Sequence, residues 1–142
     1  MIYLIGARAS GKTTLGRKLA AALKRPFVDT DRRIRLATGK TVAELVEAGG
    51  WEAFRQAEAD VLGEVAVFSG QVVSCGGGLV LRQENREVLE KGIVLYLQAP
   101  AEVLAERAPL YEGLARITLQ ADAPLERLVE LALAEIKRLE RR

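Results

Sequence analysis

Residues 6–14 read Gly6-Ala7-Arg8-Ala9-Ser10-Gly11-Lys12-Thr13-Thr14 and fit the pattern G-x-x-x-x-G-K-[ST]. The flanking segments supply the context that this pattern needs. The preceding segment, Met1-Ile2-Tyr3-Leu4-Ile5, is almost wholly apolar, as expected for a parallel strand buried on both faces. The following segment, residues 12–23, places leucine and alanine on one helical face and basic side chains around the other. A strand, a tight loop and a helix are therefore predicted in succession.

The loop predicted at residues 6–14 has the chemistry of a nucleotide phosphate site. Backbone N–H groups wrapped over a helix N-terminus converge on phosphate oxygens, together with the positive end of the helix dipole. Lys12 is expected to be solvated and to reach the β- and γ-phosphates, and Thr13 to offer its hydroxyl to Mg²⁺. A glycine-containing turn without a ligand is the alternative, but it leaves the complete motif unexplained. The predicted phosphate contacts are Gly6, Ala9, Ser10, Gly11, Lys12, Thr13 and Thr14.

Length and composition exclude several classes of protein. The 142 residues fit a single domain, 1–142, and 49% hydrophobic with 28% charged residues is typical of soluble globular proteins. A net charge of +2 with both signs interspersed predicts no nucleic-acid partner. The lone Cys75 excludes an internal disulfide, and the absence of histidine excludes histidine-based catalysis or metal binding. We expect a cytoplasmic protein without membrane contacts, because no apolar run reaches membrane-spanning length and the first strand begins at once.

Strand-like and helix-like runs alternate along the chain, which predicts a parallel sheet covered by helices. Strands are predicted at 1–5, 26–29, 71–75, 93–97 and 116–119. Helices are predicted at 12–23, 31–37, 51–68, 81–91, 101–107 and 125–141, and a further one begins at the capping box of Thr41 and Glu44 and ends at Gly49-Gly50. The predicted fold class is α/β with three layers, in which a five-stranded parallel sheet carries helices on both faces.

Two motifs follow predicted strands, where open parallel sheets bind their ligands. Of Asp29 and Asp31, one carboxylate could help to hold hydrated Mg²⁺ and the other could orient or deprotonate an acceptor hydroxyl. Helix capping is the alternative, because aspartate is a favoured N-cap residue. The three glycines Gly76, Gly77 and Gly78 suit either close backbone approach to a ligand or a flexible turn. The residues alone leave both choices open.

Arg55 and Glu58 form a third candidate group. They lie three residues apart on a predicted helix and can therefore pair on one face. An arginine in this position could bind a substrate carboxylate through two parallel hydrogen bonds. A surface ion pair explains the same spacing, so the two interpretations stand side by side.

In this order the motifs resemble the shikimate kinases, which are P-loop kinases of the nucleoside-monophosphate-kinase-like group. The resemblance runs from the first strand to about Tyr111. Besides residues 6–14, it rests on Phe27-Val28-Asp29-Thr30-Asp31, Thr38-Gly39, Phe54-Arg55-Gln56-Ala57-Glu58, Ser74-Cys75-Gly76-Gly77-Gly78 and Arg107-Ala108-Pro109-Leu110-Tyr111.

The resemblance implies an enzyme that uses ATP and Mg²⁺ to phosphorylate the 3-hydroxyl of shikimate in the chorismate pathway to aromatic amino acids. It implies that Lys12 and Asp31 are catalytic, with Asp31 binding the acceptor hydroxyls as the candidate base. Asp29 would act toward Mg²⁺ through water, alongside Thr13. The residues implied to bind shikimate are Asp31, Arg55, Glu58 (as a buttress to Arg55), Gly76, Gly77, Gly78 and Arg107. We expect a monomer whose partners are these small molecules.

One segment departs from the family. Family members carry a lid that includes Arg-Pro-Leu-Leu, whereas residues 101–107 run directly into Ala108-Pro109. We therefore expect a chain break at Arg107/Ala108, and Pro109 to interrupt any helix through this segment. Arg107 also matches the arginine before the lid, so its carboxylate role has an alternative. Two other functions stay open: another small-metabolite P-loop kinase, such as a gluconate kinase, and a lidless nucleotide-binding module without turnover.

Overall fold

Five strands form the centre of the structure, a computed structural model that describes residues 1–7, 10–99 and 107–141. The strands are β1 (Ile2–Ile5), β2 (Phe27–Asp29), β3 (Val72–Ser74), β4 (Ile93–Gln98) and β5 (Ile117–Gln120). They lie side by side in the order β2-β3-β1-β4-β5, and every neighbouring pair is parallel. The predicted five-stranded parallel sheet is confirmed.

Six α-helices occur in the described part of the chain: α1 (Lys12–Leu23), α2 (Thr30–Thr38), α3 (Val42–Ala66), α4 (Gln83–Leu89), α5 (Ala108–Leu114) and α6 (Leu125–Glu140). The predicted capping box of Thr41 and Glu44 is present at the start of α3. Gly50, with φ of 73°, breaks the regular backbone of α3 where a helix end was predicted. The helix predicted at 101–107 lies outside the described residues except for Arg107. None of the described helices is long and apolar enough to cross a membrane.

Successive strand residues point into two separate cores. On β1, Tyr3 and Ile5 belong to one core, and Ile2 and Leu4 belong to the other. Helices α1 and α6 cover the core that contains Ile2, and α2 to α5 cover the core that contains Tyr3. Burial on both faces explains why the strand sequences lack polar alternation. The helices thus cover both faces, as predicted.

The chain leaves β1 and β3 toward opposite faces of the sheet. β1 leads into α1, whose Leu15 packs in the core that contains Ile2. β3 leads into a 3₁₀ turn, Leu79–Leu81, whose Leu79 packs in the core that contains Tyr3. β1 and β3 are direct neighbours. A crevice therefore opens between their carboxyl ends, which is the usual ligand position in such sheets. Residues 6–14 and the three glycines both follow strands that end at this crevice.

The segment after β3 differs locally from the prediction. The helix predicted from residue 81 begins at Gln83, because the chain first forms the 3₁₀ turn, in which the Leu81 amide donates to the Gly78 carbonyl. β3 itself is shorter than residues 71–75. The Cys75 amide nevertheless still bonds to the Leu4 carbonyl of β1, so the end of the strand stays attached to the sheet.

The segment around Pro109 adjoins residues 100–106, which lie outside the described residues. The Arg107 carbonyl accepts hydrogen bonds from the amides of Leu110 and Tyr111, which form the first turn of α5. Pro109 lies in that turn, where a missing N–H leaves no carbonyl unpaired. The break expected at Arg107/Ala108, and the interruption by Pro109 of a helix that begins before it, stay predictions.

Candidate active site

Gly6 and Gly11, the two glycines of the motif, lie at the described ends of the loop between β1 and α1. Gly6 and Gly11 adopt φ of 144° and 97°, which residues with a Cβ rarely enter. A Cβ on Gly6 would lie 2.5 Å from the Leu97 carbonyl oxygen. Gly11 is the N-cap of α1, so the unpaired amides of the first helical turn face this loop. Ala9, a predicted phosphate contact, lies outside the described residues.

Lys12 is buried, and the expectation that its side chain is solvated is wrong. Its Nζ donates to the carbonyl oxygens of Gly6 at 2.9 Å and Ala7 at 2.8 Å. The loop curls over its own lysine, and this leaves the side chain 8% exposed. Because charged phosphate oxygens are stronger acceptors than neutral carbonyls, the ammonium has a favourable exchange of partners when phosphate binds.

The hydroxyls beside Lys12 test whether MgATP fits this loop. Ser10 Oγ is buried and has no hydrogen-bond partner among the described residues, although buried hydroxyls normally have one. Thr13 Oγ1 donates to Asp29 Oδ2 at 3.3 Å. No group of three or more metal-binding side chains occurs in residues 1–7, 10–99 and 107–141. Mg²⁺ usually binds one or two carboxylates and completes its shell with phosphate oxygens and water. The donor set therefore fits a magnesium–nucleotide complex.

Asp29 caps α2, as one of its two interpretations predicted, and its second oxygen faces the phosphate loop. Its Oδ1 caps α2 by accepting from the amides of Asp31 at 3.0 Å and Arg32 at 3.4 Å. Its Oδ2 is the oxygen that faces Thr13. The cap holds the carboxylate in one orientation, and this orientation directs the second oxygen toward the phosphate loop. Capping and metal binding therefore do not compete at this residue.

Two cavities meet at Asp31. The phosphate cavity, about 250 Å³, is lined by Gly11, Lys12, Thr13, Thr14, Asp29, Asp31 and residues 74–77. The acceptor cavity, about 220 Å³, is lined by Asp31, Arg55, Glu58, Gly77, Gly78 and Arg107, with apolar walls from Val42, Trp51 and Phe54. Asp31 and Gly77 line both cavities. Cys75 belongs to the phosphate cavity, but burial raises the pKa of its thiol to about 12, so it is not a nucleophile at neutral pH.

The pair formed by Arg55 and Glu58 is not a surface ion pair. Arg55 Nη1 donates to Glu58 Oε1 at 2.7 Å, and the Glu58 side chain is only 1% exposed. Burial raises the pKa of Glu58, while the hydrogen bond and charge of Arg55 oppose that rise. The Arg55 guanidinium also lies 5.5 Å from the Trp51 ring and 5.3 Å from the Phe54 ring. The guanidinium is therefore held from several sides where it lines the acceptor cavity.

Two of the three glycines, Gly76 and Gly78, leave little space for a side chain. A Cβ on Gly76 would lie 2.7 Å from Asp31 Oδ1 and 3.2 Å from Glu58 Oε2. A Cβ on Gly78 would overlap the Arg55 guanidinium. None of the three has the positive φ that would by itself demand glycine. We call residues 76–78 the glycine segment, and it is packed against acceptor-cavity side chains.

Comparison with known proteins identifies the family, because the model of the shikimate kinase family matches residues 8–141. The chain belongs to the shikimate kinase family. The resemblance inferred from the motifs is thereby confirmed. A shikimate kinase from Symbiobacterium thermophilum is 47% identical over 134 residues, which cover 94% of this chain and 77% of that relative. The solved shikimate kinase from Acinetobacter baumannii in complex with shikimate is 31% identical with a TM-score of 0.84, and the match covers 94% of this chain and 93% of that one.

The length of another member of the family can be compared with this chain, from which the lid segment is absent. The shikimate kinase of Nitratidesulfovibrio vulgaris is 40% identical over 159 residues, covering 91% of each chain. This chain has 142 residues, so that shikimate kinase contains residues with no counterpart here. Such an excess is what the absence of the lid segment from this chain predicts.

Two residues of this site, Thr30 and Tyr111, were quoted in the sequence analysis only as parts of family motifs and not as candidate site residues. Thr30 Oγ1 accepts a hydrogen bond from the Gly76 amide at 2.9 Å, and the Tyr111 hydroxyl donates to the Gly77 carbonyl. Thr30 lies between the two aspartates, and Tyr111 closes the last family motif. Their partners are 46 and 34 residues away, beyond the reach of any local pattern.

Replacing Gly78 by alanine tests the packing of Arg55. Gly78 has φ of −94°, so alanine causes no backbone strain, and its only expected effect is to displace the guanidinium that the Cβ would overlap. We expect the KM for shikimate to rise at least about tenfold with a nearly unchanged KM for ATP, measured by initial rates. Gly63→Ala is the control, because nothing lies within 4 Å of a Cβ there. An unchanged KM for shikimate in Gly78→Ala would contradict the role of Arg55 in this cavity.

Proposed function

We propose that this protein transfers the γ-phosphoryl group of ATP to the 3-hydroxyl of shikimate, as a step of the chorismate pathway. The observation that supports it most is the junction of two cavities at Asp31, one with phosphate-binding chemistry and one with two arginines. Membership of the shikimate kinase family supplies the identity of the acceptor. The structure of a relative with shikimate bound supports the same acceptor.

Shikimate carries one carboxylate, and the acceptor cavity offers two guanidinium groups from different elements. Arg55 comes from α3, and Arg107 precedes the first turn of α5. The charge of Arg107, like that of Arg55, opposes the burial-driven rise in the pKa of Glu58, which places all three charges in one neighbourhood. We propose that Arg55 and Arg107 bind the carboxylate and that Glu58 keeps Arg55 in place. The acceptor hydroxyls then lie toward Asp31.

Asp31 is proposed to orient the acceptor hydroxyl and accept its proton. Its carboxylate is at the junction, so it reaches a hydroxyl held in the acceptor cavity beside the phosphoryl group in the phosphate cavity. Lys12 would move from the loop carbonyls to the phosphate oxygens. Thr13 and Asp29 would hold Mg²⁺, which supplies positive charge to the transferring group. Positioning and charge stabilisation account for most catalysis in phosphoryl transfer.

We also propose an assembly state and a cellular setting for the protein. Both cavities are lined by one chain, so we propose a monomeric single domain that needs no second copy. The buried Cys75 without a disulfide partner fits the reducing cytoplasm. The small net charge of +2 supports the absence of a nucleic-acid partner.

An assay that couples ADP release to NADH oxidation tests the proposal. We expect ADP release with MgATP and shikimate, and only background release with gluconate or without an acceptor. Release with gluconate alone would instead support another small-metabolite kinase. The absence of the lid segment favours a second candidate, a nucleotide-binding module without turnover. ATP binding in calorimetry without ADP release under any of these conditions would support that module and overturn the kinase proposal.

Replacing Arg55 by lysine tests the carboxylate site. Lysine keeps the charge but cannot form two parallel hydrogen bonds with a carboxylate. We expect the KM for shikimate to rise about tenfold while kcat changes little, because the lost bonds bind ground state and transition state alike. Arg138→Lys is the control, since Arg138 pairs with Glu135 in the same i,i+3 spacing on the exposed surface of α6. If the KM for shikimate were equal in Arg55→Lys and in the unmodified protein, Arg55 would only form an ion pair with Glu58 and would not bind the carboxylate.

A further inference from the structure

The glycine segment is held by one buried hydroxyl at each end of the Gly76–Gly77 unit. The Gly76 amide donates to Thr30 Oγ1 at 2.9 Å, and the Gly77 carbonyl accepts from the Tyr111 hydroxyl. Thr30 and Tyr111 are both 0% exposed. Hydrogen bonds in such surroundings face little competition from water. The Tyr111 ring also stacks on Tyr96 of β4, with 5.1 Å between ring centroids, so its hydroxyl is anchored to the sheet.

These two hydrogen bonds restrain a segment in which close packing in the acceptor cavity favours glycine. Asp31, Glu58 and Arg55 pack so closely on the segment that a Cβ at Gly76 or Gly78 would have to displace one of these side chains. Glycine, however, has more backbone freedom than any other residue. A segment that cannot restrict itself with side chains must be restrained by its neighbours. The two hydroxyls supply that restraint from outside the segment.

The same two hydroxyls join the elements that carry acceptor-site charges. Thr30 is the first residue of α2 and immediately precedes Asp31. Tyr111 lies one helical turn after Arg107, and its amide donates to the Arg107 carbonyl at 3.1 Å. The glycine segment is therefore tied both to the helix of Asp31 and to the helix that Arg107 begins. The phosphate loop itself, residues 6–14, has no part in these bonds, although Gly76 and Gly77 also line the phosphate cavity.

We infer that Thr30 and Tyr111 are positioning residues that keep the glycine segment, Asp31 and Arg107 in the arrangement that binds the acceptor. This inference rests on the proposed function, because it assigns the residues to the shikimate side of the reaction. They act through the segment and touch neither ATP nor the transferring phosphoryl group.

Two near-isosteric variants test the inference by kinetics. Tyr111→Phe and Thr30→Val each remove a hydroxyl and keep the volume of the side chain. We expect each to raise the KM for shikimate about five- to tenfold while the KM for ATP stays within about twofold. Thr30→Ser should restore the original KM, because it returns the acceptor for the Gly76 amide. Tyr3→Phe is the matched control, since Tyr3 is a buried tyrosine of β1 in the same core as Tyr111.

Amide hydrogen exchange tests the restraint without any substrate. The Gly76 amide, read by ¹⁵N NMR, should exchange about five- to tenfold faster in Tyr111→Phe than in Tyr3→Phe. Shikimate binding can be titrated in parallel through Trp51, the one tryptophan of the sequence, which lines the acceptor cavity.

The outcomes separate the inference from the proposed function. Unchanged exchange in Tyr111→Phe would overturn the inference even if shikimate is phosphorylated normally. Faster exchange with an unchanged KM or Kd for shikimate would overturn it as well, because the bonds would then stabilise only the fold. If Tyr111→Phe or Thr30→Val raised the KM for shikimate and the KM for ATP equally and also lowered the Tm, this result would likewise overturn the inference. Failure of the unmodified protein to bind or phosphorylate shikimate would overturn both the proposed function and the assignment to its acceptor.

Discussion

Replacing Lys12 by alanine should lower kcat about a thousandfold or more, because the variant loses the cation that we propose binds the phosphate oxygens. The fold should survive, since the Lys12 ammonium bonds to the carbonyls of Gly6 and Ala7 at the loop and not within either core. Loss of that donor should cost about 1–3 kcal/mol of stability. Initial rates at saturating shikimate and ATP measure the first effect, and thermal unfolding measures the second.

Lys18→Ala is the matched control for this change. Lys18 lies on the same helix, α1, but its side chain is exposed to solvent. Its removal should leave kcat and both KM values within about twofold, because an exposed charge at this distance is screened by solvent. A Lys12→Ala enzyme that keeps a tenth or more of the normal kcat would show that this loop does not stabilise the transferring phosphoryl group.

Replacing Asp31 by asparagine should lower kcat about a hundredfold to a thousandfold while the affinity for ATP changes little. Asparagine keeps the size and hydrogen-bonding reach of the side chain but cannot accept the hydroxyl proton. Asp29 should continue to cap α2, because its bond at 3.0 Å goes to the amide of residue 31 and not to its side chain. Single-turnover rates and calorimetric ATP titrations separate the chemical step from nucleotide binding.

The control for Asp31 is Asp60→Asn. Asp60 is an exposed residue of α3 whose carboxylate accepts a hydrogen bond from Gln56 at 2.9 Å. Its replacement should change neither kcat nor KM. If Asp31→Asn instead raised only the KM for shikimate, Asp31 would bind the acceptor without taking its proton, and the proposed base would have to be reassigned.

Periodicity in the sequence was sufficient to predict the sheet and most helices. α1 begins and ends at the predicted residues, and each predicted strand occurs within two residues of its predicted ends. The reason is local: a strand buried on both faces needs a continuous apolar run, and a surface helix needs one apolar stripe. A helix end was predictable where capping chemistry marks it, as at Thr41. The 3₁₀ turn at Leu79–Leu81 carries no such mark, and the predicted helix there began too early.

The phosphate loop was predictable for the same local reason. Its function depends on the backbone conformation of contiguous residues, which Gly6 and Gly11 encode directly. The surroundings of its lysine were not predictable. Burial of Lys12 depends on the loop closing over it, and an isolated motif contains no information on that closure.

The acceptor cavity shows the limit of the sequence most clearly. Sequence by itself determined the fold class, the family and the identity of candidates such as Asp31 and Arg55. Only the tertiary structure decided that Glu58 is buried, that Arg55 occupies the space beside Gly78, and that Thr30 and Tyr111 hold the glycine segment. Patterns with a period of two or 3.6 residues report which face of an element is buried. They do not report which distant side chains meet there, because that depends on how the helices and the sheet pack together.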